Sequence, residues 1–193
     1  MLWNMDKLAA QLQEIIALIQ QNALIMLKFL CVLWGLQCIN ALLHYRLNRW
    51  GIEPRSFRGL RGIFSSPFLH GSFGHLFFNS LPLFLLGDLV LSEGLRLWMV
   101  VSIFIIMVSG LLTWLLARRA VHVGSSTLVM GYFGYLLAHS YYHFNSMTVI
   151  LALLCVYYFG GLFFAVVPGK KEMSWEGHLF GLASGILAAY LLS

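Results

Sequence analysis

Charge is what this sequence lacks. Its 193 residues include 12 Lys and Arg and 7 Asp and Glu, 10% of the chain, where a soluble domain carries about 25%. Hydrophobic residues make up 60% and the mean hydropathy is +0.83. A water-soluble globular fold is therefore excluded. So is a disordered chain, which needs low hydrophobicity and high net charge. Cysteine is scarce too: Cys31, Cys38 and Cys155 all fall in apolar runs, where they read as small buried hydrophobes and not as a disulfide framework. No His-Glu-x-x-His or Cys-x-x-Cys pattern occurs, so neither a metal nor another cofactor is expected. An all-α, polytopic membrane protein remains.

A helix needs about 20 apolar residues to cross the hydrocarbon core, and the charge-free intervals can be measured against that length. Ala23 to Tyr45, interrupted only by Lys28, makes a first span. Pro67, Gly71 and Gly74 confine the second to about His75–Leu91. Leu97–Ala117 is the third. The polar stretch Ala138–Ser146 divides the long interval after it into spans near Ser126–Tyr142 and Met147–Val167. The sixth runs from about His178 to the C-terminus. Ahead of them, residues 1–22 place Leu8, Leu12, Ile15, Ile16 and Ile19 at helical spacing among glutamines. That pattern predicts an amphipathic helix that lies on the membrane or extends the first span. It lacks the layout of a signal peptide. Residues 23–193 are then a six-span membrane domain. The loop from His44 to Leu69 carries Arg46, Arg49, Arg55, Arg58 and Arg61 together with Trp50, Phe57, Leu60 and Phe64. It suits the headgroup region, where Arg snorkels and Trp anchors.

With polar residues so rare, their positions inform. One cluster, His70-Gly-Ser-Phe-Gly-His75-Leu-Phe-Phe-Asn79, opens span two, and the spacing of four puts His75 and Asn79 on one helix face. A second, Gly124-Ser125-Ser126-Thr127, opens span four. A third, Trp175-Glu176-Gly177-His178, opens span six. Spans two, four and six run in the same direction, so all three clusters reach the same membrane face. Singly, each has an ordinary explanation: an interfacial histidine, a helix cap, a packing residue. Together they supply a nucleophile, a base and donors for an oxyanion. Gly177, Gly181 and Gly185 line one face of span six, and Gly131 and Gly134 thin span four. Small residues at that spacing let membrane helices approach closely, which would bring Ser126 Oγ to His178.

These motifs resemble those of the rhomboid family of intramembrane serine proteases: His70-x4-His75-x3-Asn79, Gly124-x-Ser126 and His178-x2-Gly181-x3-Gly185. The stretches Gly59–His70 and Ser174–His178 look like a bacterial branch of it. The resemblance implies that Ser126 is the nucleophile and His178 the general base, without a third carboxylate. It also implies that His75, Asn79 and the backbone N–H of Ser126 bind the oxyanion. His70 is then structural, tying the first loop to the site, with Gly124, Gly181 and Gly185 providing close approach. The implied substrates are single-pass transmembrane proteins in the bilayer of the bacterial inner membrane. No nucleic-acid partner is expected, and oligomeric state is left open.

The sequence departs from the family pattern at four places. Thr127 follows the serine where Gly is usual, and Met130 stands where an aromatic commonly packs on the histidine. Arg61-Gly62 occupies the place of a Trp-Arg pair, and the acidic residue expected near the end of span two is displaced to Glu93. Nine basic residues lie on the face of the three clusters: the five loop arginines, Arg118, Arg119, Lys170 and Lys171. The positive-inside rule turns that face to the cytoplasm, whereas the resemblance implies an outward opening. Two other readings stand beside the protease. One is a non-catalytic rhomboid-like protein that binds or escorts membrane helices. The other is a transporter or metal permease built on His70, His75, His122 and His178, which the absence of internal repeats and of midplane histidines disfavours.

Overall fold

The computed structural model describes residues 5–143, 146–161 and 174–192. Among these the chain forms seven helices and no strand: α1 (Met5–Leu42), α2 (Phe57–Ser65), α3 (Phe73–Leu91), α4 (Leu95–Leu116), α5 (Ser126–Tyr142), α6 (Ser146–Phe159) and α7 (Trp175–Leu192). Short 3-10 turns at Arg46–Trp50 and Ser66–Phe68 flank α2. Among the described residues three stretches are long and apolar enough to cross a membrane: Ile19–Leu42 of α1, α3 and α4. Helices α5 and α7 are shorter, with 17 and 18 residues.

Each span expected from the sequence coincides with a helix, and side-chain caps set the early starts of α3 and α7. Helix α3 begins at Phe73, two residues early, because the Ser72 hydroxyl accepts the His75 N–H at 3.0 Å. Helix α7 begins at Trp175 because Ser174 accepts the Gly177 N–H at 3.3 Å. Residues 162–167 of the expected fifth span lie outside the described residues, as do Lys170 and Lys171. Helix α1 runs unbroken through residues 5–22, giving a rod about 57 Å long at 1.5 Å per residue. That is nearly twice the ~30 Å hydrocarbon core.

The bundle is built around α5, in which every residue from Leu128 to Leu136 is buried. The helices around it turn large apolar side chains outward, among them Phe77, Phe78, Leu116 and Tyr190. An apolar exterior over a packed interior suits lipid, not water. Helix α1 buries Met26, Leu33, Gln37 and Asn40 on one side. Cys31 and Cys38 lie on its other side and are exposed, contrary to the expectation that all three cysteines are buried; only Cys155 is. Polar pairs fix neighbouring helices against one another. The Trp34 indole donates to Ser80 Oγ at 3.1 Å between α1 and α3, and Ser102 Oγ meets the Tyr132 hydroxyl at 2.6 Å between α4 and α5. At the other end of α5, His139 Nε2 pairs with Glu93 at 3.0 Å.

The loop after α1, expected only as a headgroup-region segment, contains a helix in which Phe57, Leu60 and Phe64 recur at helical spacing. Helix α2 is capped by Ser56 Oγ, which accepts the Gly59 N–H at 3.0 Å. The loop docks on the end of α4: Arg55 Nη1 donates to the carbonyls of Leu115 and Ala117, and the Trp114 indole donates to Ser56 O at 2.8 Å. Ile52 and His122 exchange backbone hydrogen bonds of 3.0 and 2.9 Å. This loop therefore reaches the segment that leads into α5.

Candidate active site

The turn into α5 is held from both sides. Gly124 has φ +126°, a conformation that a residue with a side chain rarely adopts. A Cβ there would also stand 2.7 Å from His75 Cε1. The Gly124 N–H donates to Ser66 O at 2.9 Å. Next in the chain, Ser125 is fully buried, and its N–H donates to His70 Nε2 at 3.2 Å while its Oγ lies 3.1 Å from the same nitrogen. His70 thus ties the first loop to the start of α5, and its own carbonyl accepts from Asn48 Nδ2 at 3.2 Å. Ser126 is the first residue of α5, where backbone N–H groups have no partner within the helix and the dipole is positive.

Ser126 Oγ stands 2.9 Å from His178 Nε2. What allows this is the seam between α5 and α7. A Cβ on Gly181 would overlap the Thr127 carbonyl oxygen, and one on Gly185 would overlap the Gly131 carbonyl oxygen. The two backbones are in contact along that line. Thr127 does not crowd the site, because its Oγ1 lies against Gly177, within 3.1 Å of where a Cβ would be. Met130 is buried against Gly181 on the same seam.

A cavity of about 460 Å³ opens over Ser126 and His178, lined also by Gly71, Ser72, His75, Val121, His122, Val123 and Ser174. Most of its lining comes from the segments that lead into α3, α5 and α7. Asn79 does not line it, but sits one turn beyond His75, nearly buried, with its Nδ2 donor lacking an acceptor among the described residues. All three sequence clusters therefore converge. Among the described residues no three His, Cys, Asp or Glu side chains gather to hold a metal ion.

Ser125 and Glu176 belong to the polar clusters of the sequence, but the partners they meet around the site are not legible there. The sequence offers His122 only as a transporter residue, yet its Nδ1 lies 2.6 Å from Ser174 Oγ and its Nε2 lies 3.1 Å from Arg118 O. Glu176 accepts the Arg118 N–H at 3.4 Å. The available signal was spacing, since His122 precedes Ser126 by four residues and Ser174 precedes His178 by four.

Burial, with a smaller contribution from neighbouring His75, pushes the His70 pKa from 6.5 down to about 3. Burial likewise lowers that of His122. The unfolded chain then binds a proton below pH 6.5 that folded His70 refuses, so stability is full above that pH and falls as pH drops toward 3. Between pH 7 and pH 5 the loss from His70 alone amounts to about 2 kcal/mol. The thermal midpoint in detergent should fall over that interval, and His70→Asn should flatten the slope. An unchanged slope in the variant would assign it to another group.

A family model described as the rhomboid domain matches residues 58–193. Uncharacterized proteins of Mycobacterium tuberculosis and Mycobacterium bovis are each 32% identical to this chain, covering 86% of it and 73% of their own length. One of Mycobacterium leprae is 31% identical over 86% of this chain and 70% of its own. With its apolar helices and the match over most of its length, this chain is an integral membrane protein of the rhomboid family.

Proposed function

We propose that this protein is an intramembrane serine endopeptidase that crosses the bacterial inner membrane six times and cleaves single-pass transmembrane proteins. One observation carries the reading: Ser126 Oγ lies 2.9 Å from His178 Nε2 within a cavity that also takes in His75. The six crossings are supported by the lengths of α5 and α7, about 26 and 27 Å at 1.5 Å per residue. Each comes within one turn of the ~30 Å core.

The chemistry follows from the positions. Ser126 passes its hydroxyl proton to His178 Nε2 as its oxygen bonds the scissile carbonyl carbon, and the carbonyl π pair moves onto oxygen. That oxyanion meets the Ser126 N–H at the positive end of α5, with His75 and Asn79 as side-chain donors. The intermediate collapses when the C–N bond breaks and His178 hands its proton to the departing amine. Water then attacks the acyl carbon and gives a proton to His178. Ser126 leaves as the ester bond breaks and recovers that proton, releasing the carboxylic acid. An intact substrate helix hides its carbonyls in its own hydrogen bonds, so a substrate must unwind locally, which small residues ease.

A fluorophosphonate probe tests the reading directly, because it reacts only with an activated serine. Labelling of the wild-type protein on Ser126, absent from Ser126→Ala, is expected. A protein that merely binds membrane helices would not react, and an inert wild type would sink the protease. Asn79→Ala should lower kcat on the order of 100–1,000-fold with little change in KM. An unchanged kcat would remove Asn79 from the oxyanion site.

A further inference from the structure

The Ser126–His178 contact has a counterpart four residues back along both segments. His122, ahead of Ser126, meets Ser174, ahead of His178, at 2.6 Å. The order is crossed: the first segment supplies the histidine of one contact and the serine of the other. Helix α5 and the start of α7 are thus joined twice at the same end.

The polarity of the second bridge can be assigned. Ser174 Oγ accepts the Gly177 N–H at 3.3 Å, so its single hydrogen is free to go to His122 Nδ1. His122 then carries its proton on Nε2 and donates to Arg118 O at 3.1 Å. Arg118 is held on its other side as well, its N–H donating to Glu176 Oε1 at 3.4 Å and its Nε lying 3.7 Å from the same oxygen. One end of this sequence of bonds is the Gly177 N–H, one residue before His178. His122 is 6% exposed, so water competes little for these bonds.

We infer that His122 is a positioning residue, which through Ser174 holds the first turn of α7 so that His178 stays within reach of Ser126. This rests on the reading of Ser126 and His178 as the reacting pair. The glycine seam already packs α5 on α7 along their length. What the bridge adds is registration at the end where the reaction takes place, and a misplacement of 1 Å there costs about 100-fold in rate.

The test uses the full chain in nanodiscs with a fluorogenic transmembrane substrate. His122→Ala removes the bridge and leaves the Ser174 cap on Gly177 in place; Ser174→Ala removes both. Each should lower kcat by about 10–100-fold with KM within about twofold. Ser174→Thr, which keeps the hydroxyl, should retain most of the activity, and the double alanine variant should be no worse than the poorer single one. In parallel, imidazole ¹⁵N NMR should show the His178 signals displaced in His122→Ala. A kcat unchanged in His122→Ala, or Ser174→Thr as poor as Ser174→Ala, would overturn the inference. If the wild type cleaves nothing and its serine is inert, the protease reading fails by itself. The NMR comparison still decides this inference, since an undisplaced His178 would end it.

Discussion

Ser126→Ala and His178→Ala will each reduce cleavage of a reconstituted transmembrane substrate by about 10⁴–10⁶-fold, and the double variant will lose nothing more. The reason is that the two side chains form one device. With Ser126 Oγ at 2.9 Å from His178 Nε2, the serine is a nucleophile only while the histidine can take its proton, and the histidine has no other proton to take in the first step. Losing either removes the same covalent pathway. Independent contributions would multiply, so the double variant would fall far below both. The remaining rate would come from the oxyanion donors and from bound water, which depend on neither side chain. The measurement is initial rate against protein concentration in proteoliposomes, with folding checked by the thermal midpoint. Either single variant within tenfold of wild type would contradict the dyad.

The polar clusters were readable because charge and polarity are so sparse here. Ser126–Tyr142 matches the expected fourth span at both ends, since Gly-Ser-Ser before it and a His-rich, polar segment after it mark the limits. The convergence of His75, Ser126 and His178 followed from counting crossings, because alternate helices must start at the same face. Other features left no such trace. The docking of helix α2 rests on Arg55 and Trp114 bonding backbone carbonyls on another segment, which its own amphipathic spacing does not encode. The His122–Ser174 bridge joins residues 52 apart, visible only once α5 and α7 are known to touch. The outward position of Cys31 and Cys38 is not legible for a different reason. Lipid tails are as apolar as a protein interior, so hydrophobicity alone does not tell the two sides of a membrane helix apart.

Gly185→Val will leave almost no folded protein, a loss above about 4 kcal/mol of the kind that overpacking against backbone produces. The obstacle at this position is main chain. A Cβ on residue 185 would overlap the Gly131 carbonyl oxygen and stand 2.7 Å from its carbonyl carbon and 2.8 Å from Tyr135 N. None of these atoms can rotate away, since they belong to the ladder of α5, so α7 must separate from α5 as a unit. That opens the most extensive helix contact among the described residues and carries His178 away from Ser126. Gly185→Ala should therefore be damaging as well, with fluorophosphonate labelling lost together with the thermal transition. Gly35→Ala is the matched control. It lies inside α1 with nothing within 4 Å of its added Cβ, and there alanine's better helix propensity should hold or raise the midpoint. If Gly185→Ala unfolds at the same temperature as wild type, the two backbones are further apart than the glycine seam requires. The short Ser126–His178 distance would then need another cause.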